Sequence, residues 1–157
     1  LLSWVKKYPI ISIEDPFEEN DTKYFSIFKK EAPKYLQIVG DDLVTTNSAI
    51  IENISKLDAI NCVLVKPNQI GTISETKDAI NTAKKNNLST IMSARSGETE
   101  DTTIVDLCLG WKINQLKVGS ITRSERLAKW NKCLRIGEEI PNGFKLPSAK
   151  NFTWNKL

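Results

Sequence analysis

CVLVKPNQIGTISETKDAINTAKKNNLSTIM, residues 62–92, opens on the apolar run Cys62-Val63-Leu64-Val65 and closes on Ser89-Thr90-Ile91-Met92. Both runs have the length and side-chain character of strands. Between them, Thr72-x-x-Glu75 is a capping box, the arrangement in which a hydroxyl and a carboxylate serve the orphan amides of a helix start. Ile73, Thr76, Ala79, Ile80 and Ala83 then recur at helical spacing, and the pattern stops near Asn86-Asn87. Strand, helix and strand in this length make a βαβ unit with parallel strands and a right-handed crossover.

The alternation continues in both directions. Further strands are predicted at Ile10-Ile11-Ser12-Ile13, Leu36-Gln37-Ile38-Val39 and Gln115-Leu116-Lys117-Val118, which makes five in all. Helical patterns run through Tyr24–Lys30, Ser48–Lys56, Asp101–Trp111 and Ser124–Ile136, the last with Leu127, Trp130 and Leu134 in register. Leu1, Leu2 and Val5 also fall at helical spacing before Tyr8-Pro9, so residue 1 is expected to lie inside an element that begins upstream. The fold class is therefore α/β, a parallel sheet of five strands alternating with helices. Residues 1–140 form this unit, and 141–157 are expected to be an irregular tail docked by Phe152 and Trp154.

Composition narrows the chemistry. The chain has 157 residues, 40% of them hydrophobic and 26% charged, which suits a globular unit and argues against disorder. Cys62, Cys108 and Cys133 are odd in number and far apart, so they read as reduced core thiols in a cytoplasmic protein. There is no histidine, which excludes an imidazole base and histidine-ligated zinc. The net charge of +3 is spread over both signs and gives no warrant for a nucleic-acid or membrane partner. No apolar run approaches the roughly 18 residues a spanning helix needs.

In parallel sheets, functional groups gather beyond the carboxyl ends of the strands. Glu14-Asp15 follows the first strand, Asp41-Asp42 the second, Lys66 the third, Arg95-Ser96-Gly97 the fourth, and Lys117 closes the fifth. Glu14 and Asp41 are oxygen ligands without histidine or cysteine, a set that suits a hard cation such as Mg²⁺ but also describes ordinary acidic strand ends. Lys66 emerges from a buried strand, where it is either a desolvated base or a structural lysine held by a carboxylate. Arg95-Ser96-Gly97 offers a guanidinium, a hydroxyl and backbone amides, which suit a clamp for phosphate or carboxylate.

These segments carry a resemblance. Ser12-Ile13-Glu14-Asp15-Pro16-Phe17, Val39-Gly40-Asp41-Asp42-Leu43, Lys66-Pro67-Asn68-Gln69-Ile70-Gly71-Thr72, Arg95-Ser96-Gly97-Glu98-Thr99-Glu100-Asp101-Thr102 and Arg123-Ser124-Glu125-Arg126-Leu127-Ala128-Lys129 resemble, in order, the enolase family. The resemblance implies the C-terminal part of a (β/α)8 TIM barrel and a Mg²⁺-dependent lyase interconverting 2-phosphoglycerate and phosphoenolpyruvate in glycolysis. It implies that Glu14 and Asp41 are two of three metal carboxylates and that Lys66 is the base at carbon 2. It also implies that Arg95 and Ser96 contact the substrate phosphate and that Lys117 binds the substrate carboxylate. The family is typically dimeric or octameric, so a homo-oligomer is expected.

Two departures keep a second reading open. The family motif Ser-His-Arg-Ser-Gly-Glu here reads Ser93-Ala94-Arg95-Ser96-Gly97-Glu98, without the imidazole. The third metal carboxylate and the glutamate associated with expelling the carbon-3 hydroxyl are expected upstream of Leu1, in an N-terminal portion that must complete the site. The alternative is a degenerate, non-catalytic paralogue that acts as a binding or assembly module.

Overall fold

A computed structural model describes residues 1–141 and 145–154. The elements are α1 (Leu2–Lys7), β1 (Ser12–Glu14), α2 (Thr22–Glu31), β2 (Gln37–Gly40), α3 (Ser48–Lys56), β3 (Cys62–Val65), α4 (Pro67–Ile70), α5 (Ile73–Lys85), β4 (Ser89–Ser93), α6 (Thr103–Gly110), β5 (Gln115–Lys117) and α7 (Ser124–Glu139), then a 3-10 turn at Ala149–Asn151. The five strands follow one another in the sheet in chain order. Each connection is helical, as parallel neighbours require. Two compact units are present, Leu1–Thr90 with the described residues from Ala149 on, and Ile91–Ser148.

In the first unit β1 pairs with β2 at Ser12–Gln37 and Glu14–Val39, and β2 with β3 at Val39–Cys62 and Gly40–Val63, all parallel. Every residue of β2 and β3 is buried. This is why β3 reads as a continuous apolar run rather than an alternating one, while β2 buries one polar residue, Gln37, whose Nε2 donates to Ser12 Oγ at 3.1 Å. Asn61 aligns the strand starts: its Oδ1 accepts from the Ile38 amide at 2.7 Å and its Nδ2 donates to the Leu36 carbonyl at 2.9 Å. Its own carbonyl accepts from the Ser89 amide at 3.0 Å. The first strand begins later than its apolar run. Gln37 donates to the Ile11 carbonyl and Asp15 to the Val39 carbonyl, which sets the ladder between those two bonds.

The α5 start is the capping box with one change of detail. Thr72 Oγ1 accepts from the Glu75 amide at 3.1 Å and donates to the Glu75 carboxylate at 2.6 Å. Thr76, Ala79, Ile80 and Ala83 are buried, and the helix packs on α3 and β3. Ile73, expected on the same face, is exposed because it sits in the first turn, where no neighbour covers it. Asn87 takes the left-handed conformation at φ 58°, and the Leu88 amide then reaches back to the Ala83 carbonyl. α4 escapes periodicity analysis because it is one turn long, bounded by Pro67 and by Gly71 at φ 110°.

In the second unit β4 and β5 pair in parallel from Ile91–Gln115 to Ser93–Lys117. Val105 and Cys108 are the buried residues of α6, which packs on α7. The expected apolar face of α7 is corrected in part: Leu127 and Leu134 are exposed and Trp130 is half-buried, whereas Arg126 and Lys129 are buried. The 3.6-residue period is right and the stripe lies one residue earlier, since this face buries cations that hold backbone carbonyls. Phe152 and Trp154, which belong to the first unit, stack on each other with ring centroids 4.7 Å apart. Part of the expected tail, residues 142–144 and 155–157, lies outside the described residues.

All three thiols are free. Burial pushes Cys62 from the ordinary 9.0 up to about 12, and burial, with Cys133 nearby, pushes Cys108 up to about 11. The folded protein therefore keeps protons that the unfolded chain releases above about pH 9. Stability from these thiols is whole below that value and is lost as pH rises towards 11 and 12. Urea midpoints measured at rising alkaline pH should fall, and Cys62→Ala should flatten the decline. Alkylation of the native protein should reach half-buried Cys133 before either of the other thiols.

Candidate functional site

The first unit carries Glu14, Asp41 and Lys66 at the carboxyl ends of β1, β2 and β3. Gly40 leads into Asp41 by a tight passage, since a Cβ there would lie 3.0 Å from Ile60 and 3.4 Å from Val44. Lys66 Nζ sits 2.5 Å from Asp41 Oδ2, with only 12% and 10% of the two side chains exposed. Gln69 Nε2 approaches the other Asp41 oxygen at 3.5 Å. Thr46 Oγ1 accepts from the Lys66 amide and donates to Gln69 Oε1, both at 2.9 Å. Thr45 and Thr46 both have positive φ, 47° and 56°. That conformation is costly for β-branched residues and places the Thr46 hydroxyl between the end of β3 and the Gln69 side chain of α4.

Asp15 is the residue that sequence reasoning passed over. Its two carboxylate oxygens accept from the amides of Asp41 at 2.9 Å and Asp42 at 2.7 Å. Burial raises its pKa, and the charges of Asp41 and Asp42 add to that effect against the lowering effect of those amides. The carboxylates of Asp15, Asp41 and Asp42 lie within 4.8 Å of one another. Glu14 is exposed and stands outside this trio. Both Asp15 oxygens are committed to amides, so the carboxylates that would serve a hard divalent cation are those of Glu14, Asp41 and Asp42, whose all-oxygen chemistry fits one. The available signal was the adjacency of Asp15 to Glu14 in the quoted motif, but alternation along a strand does not say which of two neighbours turns inward.

The second unit carries Ala94, Arg95, Ser96 and Lys117. Ala94 is buried, and its amide donates to the Lys117 carbonyl at 2.9 Å. Arg95 and Ser96 belong to a loop whose backbone is held from several directions. Glu98 Oε1 accepts from the Arg95 amide at 2.8 Å. Arg126 donates through Nη1 to the Arg95 carbonyl at 2.8 Å and the Val118 carbonyl at 3.0 Å, and through Nη2 to the Ser96 carbonyl at 3.0 Å. Lys129 donates to the Thr99 carbonyl at 2.7 Å and pairs with Glu98 Oε2 at 2.6 Å. Arg126 and Lys129 were part of a quoted motif, yet apolar periodicity pointed to their neighbours.

Residues 1–153 match the family described as enolase, C-terminal TIM barrel domain. This chain belongs to that family. It is 51% identical over 148 residues to an enolase of Ureaplasma parvum serovar 3, covering 94% of this chain and 33% of the relative. An enolase of Mycoplasmopsis pulmonis is 50% identical over 151 residues, 96% of this chain and 33% of the relative. An enolase of Ehrlichia canis is 51% identical over 134 residues, 85% of this chain and 32% of the relative. The chain thus spans about a third of the length of the curated relatives it matches. Its five parallel strands are accordingly part of an enolase-type barrel. Among the described residues no helix is long and apolar enough to cross a membrane.

Removing one member of a buried ion pair strands the other charge, at a cost of about 3 kcal/mol or more. Lys66→Met leaves three clustered carboxylates with their neutralising cation removed, so it should destabilise the protein by about that amount. Asp41→Asn, which leaves an ammonium near Asp15 and Asp42, should cost less. Urea denaturation of both variants checks the order. Millimolar Mg²⁺ should recover part of the loss in Lys66→Met and none in Asp41→Asn.

Proposed function

We propose that this chain is the part of an enolase that carries the carbon-2 base and the phosphate clamp for interconverting 2-phosphoglycerate and phosphoenolpyruvate. The observation that supports this best is the gathering of carboxylates and the Lys66 amine at the ends of β1, β2 and β3. Asp41 has a second oxygen, approached by Gln69 at 3.5 Å, through which it would hold a cation with Lys66 still beside it. In this reading Lys66 takes the carbon-2 proton, with Thr46 holding its backbone in place. Glu14 and Asp41 are the proposed Mg²⁺ ligands in this chain, and Asp15 orients the Asp41–Asp42 backbone. When bound, Mg²⁺ supplies positive charge that stabilises an enediolate near neutral pH. Arg95 and Ser96 hold the phosphate, and Lys117 neutralises the substrate carboxylate. The second reading, a non-catalytic paralogue, is favoured by one observation: buried Ala94 stands where the family motif has histidine.

The test uses the native polypeptide in which this sequence occurs, with 2-phosphoglycerate and saturating Mg²⁺. Phosphoenolpyruvate should form, and Lys66→Ala should abolish carbon-2 hydrogen exchange without weakening Mg²⁺ affinity. Exchange that survives Lys66→Ala would remove Lys66 from its role. An imidazole hydrogen bond to the substrate contributes roughly 1.5 to 3 kcal/mol if charge-assisted, so Ala94→His should raise kcat/KM by about tenfold or more. No turnover by either protein would decide for the non-catalytic paralogue.

A further inference from the structure

We propose that Arg126 and Lys129 are positioning residues that shape the Arg95–Glu98 loop into an anion receptor, a proposal that rests on the reading of Arg95 and Ser96 as phosphate contacts. Neither cation is available to a ligand. Lys129 is fully buried, and its ammonium donates to the Thr99 and Glu125 carbonyls and pairs with Glu98. That uses all three protons of a lysine head. Arg126 is 8% exposed, and its two terminal nitrogens are committed to the carbonyls of Arg95, Ser96 and Val118. A solvated surface helix has no reason to bury two full charges. Here every polar contact they make goes to the strand-end loops or to Glu125 at the start of α7 itself.

The consequence follows from peptide geometry. All the described peptide bonds are trans. In a trans peptide the carbonyl and the next residue's amide point in opposite directions. Arg126 draws the Arg95 and Ser96 carbonyls to one side, which turns the Ser96 and Gly97 amides to the other. Both residues are exposed, and the space about Gly97 is open. Two successive amides facing outward, beside a guanidinium and a hydroxyl, make a concave receptor for an anion. Glu98 locks its near end by accepting from the Arg95 amide while Lys129 holds its other oxygen. The planar fork of Arg126 is needed because one side chain must span carbonyls of residues 95, 96 and 118; an ammonium cannot reach them in that arrangement.

Arg126→Lys keeps the charge and most of the volume, so it separates geometry from electrostatics. Lys129→Met is the second variant. The native polypeptide, labelled with ¹⁵N at serine and glycine, is titrated with inorganic phosphate, and 2-phosphoglycerate kinetics are run in parallel. The Ser96 and Gly97 amide resonances should shift saturably in the unsubstituted protein, and Arg126→Lys should weaken phosphate binding about tenfold. The 2-phosphoglycerate KM should rise by a similar factor while kcat falls by less than about threefold, since Lys66 is untouched. Unchanged phosphate affinity in both variants, or a fall in kcat with KM unaltered, would overturn the proposal. Failure of Ser96 and Gly97 to respond in the unsubstituted protein would overturn it too. Absence of turnover alongside a phosphate response that Arg126→Lys weakens would instead overturn the enolase reading and leave the positioning role standing.

Discussion

Where a parallel strand stops, its last amides and carbonyls lose their ladder partners, and the chain must satisfy them by other means. Most of what is distinctive in this protein answers that constraint. The amides after β2 go to the Asp15 carboxylate, and the amide after β3 goes to the Thr46 hydroxyl. The carbonyls after β4 and β5 go to Arg126. Charged and hydroxyl side chains gather at the strand ends first because the backbone there needs them. The same residues then form a polar, preorganised surface on which chemistry can be built.

The two units solve the problem with opposite charge. In the first, carboxylates receive amides, which concentrates Asp15, Asp41 and Asp42 and makes Lys66 the local counter-ion. In the second, Arg126 and Lys129 donate to the leftover carbonyls from buried positions, with Glu98 taking the Arg95 amide and Glu125 close by. A carboxylate cluster at strand ends suits a cation. A loop whose carbonyls are drawn back by buried cations presents its amides and invites an anion. The polarity of each region thus follows from which backbone group was left over.

Backbone strain marks the same places. Asp15, Thr45, Thr46 and Arg123 all adopt positive φ without being glycine. Asp15 and Thr46 use that conformation to turn a side-chain oxygen onto the backbone of a neighbouring strand end. Such conformations persist only where the surroundings over-determine them. Elsewhere Asp58, Asn87 and Lys112 take positive φ just after α3, α5 and α6, where reversing the chain is sufficient reason.

The sequence by itself determined the alternation of strands and helices, the parallel sheet, the capping box at Thr72 and the strand-end positions of Asp41, Lys66, Arg95 and Lys117. These are local properties, set by side-chain period, by cap chemistry and by the direction a crossover must take. Only the tertiary structure decided that Asp15 rather than Glu14 joins Asp41 and Asp42, and that Lys66 is held by Asp41. It also decided that α7 buries Arg126 and Lys129 in place of Leu127 and Leu134. Hydrophobicity ranks a residue by its own transfer cost, so it cannot register a charge whose burial is offset by backbone carbonyls contributed by residues some thirty positions away.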